Sequence, residues 1–245
     1  MELEFIKDKV YYKIFDRTST VSSGIYNKHK FNDAAKLAEI EKNINNIQTK
    51  YFAKALIILK QVHGNKVIST DSIEEEQAQP EADAAVTVAK NIALSIFTAD
   101  CVPVLLASSD GAVIGAAHCG WKSAKDNIIA NIYKTMVSKG ARDIKAIIGP
   151  SIQQSSYEVD MGYYQNFVND DADCAVFFIP SVNENHFMFD LSGYVAKKLE
   201  QANIELVTHI KDDTYSMPEK YPSYRRSTHT GEVYSQNILS TIVIR

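Results

Sequence analysis

The sequence predicts an α+β fold, a single domain over residues 1–245, on three observations. A long apolar stretch, Ile92 to Trp121, breaks into runs of strand length. Elsewhere, segments from Asp33, Ser123 and Asp190 carry apolar residues at helical spacing. No internal repeat, low-complexity segment or linker divides the chain. A chain this long can bury roughly three quarters of its unfolded surface as one unit.

Residues Leu3 to Phe15 alternate loosely and predict a strand, followed by a polar, turn-rich loop from Arg17 to Asn32. Ala34, Leu37, Ala38, Ile40, Ile44 and Ile47 then mark a helix, with Asn32 or Asp33 as its N-cap. Leu56 to Leu59 is a short apolar strand. The turn signal Gly64-Asn65 and the pair Val67-Ile68 come next, leaving His63 at a strand end. Asp71 to Asp83 is an acidic loop, and its Glu74-Glu75-Glu76 run is a solvated face. Strands follow at Ala84–Val88, Ile92–Thr98, Val102–Ala107 and Ala112–Ala117. The last two form a hairpin through Ser108-Ser109-Asp110-Gly111, where Gly111 is free to take a positive φ. Runs this apolar imply burial on both faces.

A helix is predicted from Ser123 to Lys139, with Ser123 and Asp126 as a capping box and Gly140 as its stop. Ile144–Ile148 is a strand ending at Gly149-Pro150. Tyr157 to Phe167 is aromatic without a period. Val176–Ile179 and Phe187–Phe189 are short strands, and Asp190 caps a helix carrying Leu191, Tyr194, Val195 and Leu199. Glu205–His209 is a strand, Tyr215–His229 a loop, and Glu232–Ile244 closes the chain as one or two strands.

The net charge of −4 is spread along the chain and gives no basic footprint, which argues against nucleic acid as the main partner. No apolar run reaches the ~18 residues of a membrane span. The first residues are charged and alternating, unlike a signal peptide. Three cysteines, an odd number, do not make a disulfide framework. These features point to a cytoplasmic protein.

Three kinds of chemistry compete for the same residues. His63, Cys101 and His118 end apolar runs, and imidazole and thiolate are preferred zinc ligands; three of them leave a fourth position open, the catalytic pattern. Alternatively Cys101 is a nucleophile with His118 as its base, and Asp100 either orients the imidazole or caps a turn. Finally, Gly120 to Ser123 begin a helix with Lys122 beside it, and Arg225 and Arg226 offer guanidinium forks, all suited to phosphate. Cys119 is expected to pack, and His29, His186, His209 and His229 to be structural or at the surface. No cluster of His-X-His pairs is present to hold several coppers.

LKQVHGNKV (59–67), ADAAVT (82–87), TADCVPVLLAS (98–108), GAAHCGWKSA (115–124), IGPSIQQSSYEV (148–159) and YPSYRRSTHTGE (221–232) occur in this order. Together they resemble the YfiH-like family, labelled polyphenol oxidoreductase or laccase-domain, peptidoglycan-editing factor and purine nucleoside phosphorylase. The resemblance implies a mixed β-sheet core flanked by helices, related to the catalytic domain of cytotoxic necrotizing factor toxins. It implies zinc held by His63, Cys101 and His118. It also implies phosphorolysis of purine nucleosides, with adenosine deaminase and methylthioadenosine phosphorylase activities. The sequence departs from the family pattern at several places. Ser19-Thr20 stands where Gly-Gly is usual, and Asn43-Ile44 where the pair is Asn-Arg. Lys122 replaces Arg, Ser151 replaces Cys, Asp213-Thr214 replaces Cys-Thr, and no Ser-Leu-Asn segment is recognisable over Asn27–Asn32. The metal ligands are thus kept while their surroundings change.

The expectation is a zinc-dependent purine nucleoside phosphorylase taking a nucleoside and phosphate, with no protein partner implied. Cys101, His118 and Asp100 are its catalytic candidates, and Lys122, Arg225 and Arg226 its substrate contacts. The alternatives are a Cys-His hydrolase of an amide such as a peptidoglycan precursor, and a catalytically weakened zinc-binding domain.

Overall fold

The computed structural model describes residues 3–19, 24–26, 33–50, 54–71 and 80–245. The expectations for Glu74–Glu76, His29, Asn32 and most of the segment over residues 20–32 lie outside them.

Two large sheets stack face to face. The first has β1 (Leu3–Ile6), β2 (Val10–Phe15), β14 (Ile238–Ile244), β6 (Ile92–Thr98) and β3 (Ala55–Ile58), in that spatial order. The second has β13 (Glu205–His209), β9 (Lys145–Ile148), β7 (Val102–Ala107), β8 (Ile114–Cys119), β5 (Ala84–Thr87) and β4 (Val67–Ser69). The pairs β3/β6, β4/β5 and β9/β13 are parallel and the other pairs antiparallel, so both sheets are mixed. A small antiparallel sheet, β10 (Glu158–Asp160), β12 (His186–Phe189) and β11 (Phe178–Pro180), sits to one side.

Strand periodicity sorts the side chains. Leu94, Ile96 and Ile242 of the first sheet meet Leu105, Ala116 and Ile147 of the second in a shared core. The outer face of the first sheet, with Leu56, Ile58, Phe97 and Leu239, is covered by Ile47 of α1 (Ala34–Lys50). The outer face of the second packs Val104, Leu106 and Ala117 against α3 (Ile128–Ser138) and α5 (Leu191–Gln201). Every residue of β6, β7 and β8 is buried, as their unbroken apolar runs require. Asp33 caps α1 by accepting from the Ala35 N–H at 3.0 Å, and Gly111 takes φ +72° in the β7–β8 connection.

Five expectations are corrected. Leu3–Phe15 is a hairpin, β1 and β2, because Asp8 turns the chain at φ +58°. The helix expected over Ser123–Lys139 is two, α2 (Trp121–Lys125) and α3, separated by Asn127 at φ +65°; the short polar side chain of Asn tolerates that region. Ser123 therefore caps nothing. Its hydroxyl lies buried with no partner among the described residues, and Gly120 is the N-cap. The strand expected at Val176–Ile179 starts two residues later, after a 3-10 turn that leaves Val176 exposed. The loop expected at Tyr215–His229 contains α6 (Tyr224–Thr230), capped by the Ser223 hydroxyl, which accepts from the Arg226 N–H at 3.1 Å. Its sequence YRRSTHT has no apolar stripe, so no periodicity announces it. The aromatic stretch from Tyr157 resolves into β10 and α4 (Met161–Val168), with Asp160 as N-cap.

A candidate metal centre between the two sheets

After β3 the chain is pinned by Gln61, whose amide donates to the Phe97 carbonyl (2.8 Å) and accepts from the Phe97 N–H (2.9 Å). The next turn wraps a carboxylate. The N–H groups of Val62, His63 and Gly64 donate to Asp83 at 3.2, 2.9 and 2.7 Å. His63 pays a backbone strain for this turn, φ +59°. On the neighbouring strand, β6 leaves the first sheet, reverses at Asp100 (φ +90°) and enters the second sheet as β7. Cys101 stands at that crossing. In the β7–β8 ladder Val102 faces Cys119 and Pro103 faces His118. Cys101 and His118 are therefore diagonal neighbours on one face. Cys119 points the opposite way, into the core under the helices.

The three side chains converge. Their ligand atoms lie within 4.8 Å of one another, and the His63 Nε2–Cys101 Sγ distance is 3.8 Å. Tetrahedral zinc with bonds of about 2.0–2.3 Å spaces its ligand atoms roughly 3.5 Å apart, so the residues fit such an ion. The two imidazoles meet edge to face, with centroids 4.7 Å apart. A Cβ at Gly120 would stand 2.8 Å from His63 Cδ2 and 3.3 Å from Cys101 Sγ, so only glycine leaves the centre its room. Among the described residues this is the group of His, Cys, Asp or Glu side chains that could hold a metal.

Asp83 orients the second histidine as well. Its Oδ1 lies 2.8 Å from His118 Nδ1, and a carboxylate only accepts, so Nδ1 carries a proton and Nε2 is the nitrogen turned to the centre. Asp83 is fully buried, and although burial pushes its carboxyl upward, His118 and the turn N–H groups hold it below the usual carboxylate range. Burial also opposes charge at Cys101, but the His118 imidazolium beside it, with His63, wins and brings the thiol down to about 6. His118 is disfavoured as a cation by burial, yet the Cys101 thiolate and Asp83 raise it to about 9. Burial pushes Cys119 far upward, as an inert core thiol.

The centre lies in a cavity of about 540 Å³. Phe97, Trp121, Tyr157, Tyr224 and Tyr234 supply aromatic walls, and Gln61 and Asn237 supply amides. Arg225 also lines it, its guanidinium 5.1 Å from the Tyr157 ring centroid and donating to the Glu158 carbonyl at 2.7 Å. The other two expected cations are elsewhere. Lys122 lies over the Trp121 ring, 5.4 Å from its centroid, is exposed, and does not line the cavity. Arg226 ties its own segment together, donating to the carbonyls of Thr214, Tyr215 and Tyr221 at 2.8, 2.7 and 2.6 Å. Asp100 lines the cavity but does not orient His118; Asp83 does. Instead Asp100 accepts from Thr214, Ser223 and the Arg225 N–H.

Asp83 and the aromatic walls escape a reading by residue type. An acidic residue closing an acidic loop looks solvated, and scattered tyrosines look like core.

Residues 12–240 match the family described as "Multi-copper polyphenol oxidoreductase laccase". The chain is 50% identical over 240 residues to a protein of Rickettsia conorii named purine nucleoside phosphorylase, covering 98% of both chains. It is 30% identical over 198 residues to one of the same name from Aquifex aeolicus, covering 80% of this chain and 86% of that one. A Neisseria meningitidis protein of family DUF152 superposes with a TM-score of 0.84 at 22% identity, covering 100% and 98% of the two chains. The Bacillus licheniformis protein YfiH gives 0.83 at 20% identity, covering 96% and 93%. By the extent of these matches, the chain belongs to the polyphenol oxidoreductase laccase family and carries the YfiH/DUF152 fold.

Proposed function

We propose that the protein is a zinc-dependent purine nucleoside phosphorylase, converting a purine nucleoside and phosphate to the free base and ribose 1-phosphate. The observation that carries this is the convergence of His63, Cys101 and His118 at an aromatic-walled cavity that also holds Arg225. The name shared by relatives as similar as 50% supports it. His63, Cys101 and His118 would hold the ion, and Asp83 fixes the tautomer of His118 for that purpose. The chemistry a bound zinc supplies there is Lewis-acid stabilisation of negative oxygen charge. The ring faces of Trp121, Tyr157, Tyr224 and Tyr234 suit a planar base, and Arg225 carries the charge that phosphate needs. Burial pushes the Tyr157 hydroxyl up to about 12, so it remains a donor at neutral pH. Hydrolytic deamination of adenosine in the same cavity is compatible with these groups.

Incubating the zinc-loaded protein with inosine or adenosine, with and without phosphate, tests the proposal. Phosphate-dependent release of base is expected; its absence would sink the phosphorylase reading.

One observation favours a second reading. Cys101, His118 and Asp83 form a thiolate–imidazole–carboxylate chain of the kind that serves nucleophilic hydrolysis of an amide. Metal analysis and a thiol probe separate the two. A zinc-free, alkylation-sensitive Cys101 in the protein as isolated would favour the hydrolase.

A further inference from the structure

Asp100 has three side-chain hydrogen bonds, and all three run to one distant segment. The Thr214 hydroxyl donates to Oδ1 at 2.7 Å; the Ser223 hydroxyl and the Arg225 N–H donate to Oδ2 at 3.0 and 2.7 Å. The carboxylate is nearly buried, at 9% exposure, and its backbone stands at φ +90°. A side chain held in that conformation beside Cys101 needs a reason. The reason lies at the far end of Arg225. Its backbone is held by Asp100, and its guanidinium is held by the Glu158 carbonyl and the Tyr157 ring. The residues between are stiffened from within by the three Arg226 bonds, and Asp213 adds a second anchor by accepting from the Ser156 hydroxyl and the Gln153 N–H. Arg225 therefore enters the cavity as a cation fixed at both ends, and a preorganised charge costs little to align at the moment it is used.

We propose that Asp100 is a positioning residue. It hangs the 214–225 segment on the loop that carries Cys101, and so sets the Arg225 guanidinium at a fixed place relative to the metal centre. The inference rests on the reading of Arg225 as the contact for phosphate. It assigns Asp100 no proton transfer and no contact with the reacting atoms.

The test compares zinc-loaded wild type, Asp100→Ala, Asp100→Asn, Arg225→Ala and the Asp100→Ala/Arg225→Ala double variant. Asp100→Ala is expected to raise the KM for phosphate at least about 10-fold while keeping the zinc content of wild type. Asp100→Asn retains an acceptor for the Arg225 N–H, and the Thr214 hydroxyl can rotate to accept from its amide, so it should recover most of that loss. The double variant should be no worse than Arg225→Ala alone, because the two residues act as one. Trypsin cleavage after Lys220, Arg225 or Arg226 should quicken about 10-fold in Asp100→Ala. An unchanged KM, losses that multiply in the double variant, or loss of zinc would overturn the inference. If Asp100→Ala does not fold, Thr214→Val removes one tie from the other side and should raise the same KM; no change there would overturn the inference too. The proteolysis arm reads the tie without turnover. A wild type that releases no base therefore counts against the proposed function, and unchanged proteolysis counts against Asp100.

Discussion

One carboxylate, Asp83, serves two of the three candidate ligands. It accepts from the backbone of His63 and from the ring of His118, so both donors are aimed before any ion arrives. Asp83→Asn should weaken zinc binding about 10–100-fold, measured by chelator competition. Affinity equal to wild type would show that the ligands orient themselves. The Cys101 thiol, brought down to about 6 against burial by His118 and His63, makes a second prediction. In metal-free protein its alkylation by iodoacetamide should reach half its plateau near pH 6 and stay flat above neutrality. The sign follows from the reacting species: the thiolate is present above the lowered pKa and lost as pH falls through it. Cys119 and Cys174, buried and pushed upward, should remain unmodified, and stoichiometric zinc should protect Cys101. Mass spectrometry of each cysteine checks this; a midpoint near the ordinary thiol value would mean that the imidazolium is not felt. At this scale the three candidate ligands are conspicuous in the sequence because Cys and His stand out at the ends of apolar runs. Asp83 was not, because nothing in an acidic loop distinguishes the one carboxylate that folding turns inward.

The break between α2 and α3 shows how an element is set by one backbone conformation. Asn127→Ala should destabilise by about 1 kcal/mol in urea unfolding, since a Cβ at positive φ is strained, while Asn127→Gly should be neutral or better. Equal effects of the two would point to lost side-chain contacts instead. Helix α3 also reaches the sheet at Gly115, where a Cβ would lie 3.0 Å from Ile132 Cδ1 and 3.1 Å from Met136 Sδ. Ile132 is fully buried, so Ile132→Ala should cost about 2–5 kcal/mol. Adding Gly115→Ala to that variant should restore part of the loss by filling the space, though alone it crowds the helix. Purely additive effects in chemical denaturation would contradict this packing. Long apolar strands and amphipathic helices were legible in the chain. The single αL residue within a helical pattern and the polar helix α6 were not, because a caps-and-turns conformation leaves no periodic trace.

For the molecule as a whole, the candidate centre joins the two sheets. His63 follows a strand of the first, Cys101 lies on the crossing, and His118 belongs to the second. An ion held there would be a crosslink, and its binding would stabilise the folded state. Zinc at about 100 times its dissociation constant contributes about 2.7 kcal/mol, or a rise of roughly 5–10 °C in melting temperature for a chain of this size. Differential scanning fluorimetry with and without chelator checks it, and His63→Ala should abolish the rise. A rise that survives His63→Ala would place the ion elsewhere. The α+β class could be read from the chain, and the motif blocks pointed to the family. The strand order could not. Placing β14 between β2 and β6 depends on contacts between the two ends of the chain, and local propensity carries no information about them.

The diagonal placement of Cys101 and His118 makes the length of the β7–β8 connection a chemical variable. Deleting one residue there, with the ladder otherwise kept, would bring Cys119 to the position of His118 and send the imidazole into the helix-facing core. The donor set would then change from two nitrogens and one sulfur to one nitrogen and two sulfurs, a softer set that favours thiophilic ions. Cobalt substitution would count the thiolates by their charge-transfer absorption. In this fold, the spelling of a surface turn would decide which donor atoms the interior presents to an ion.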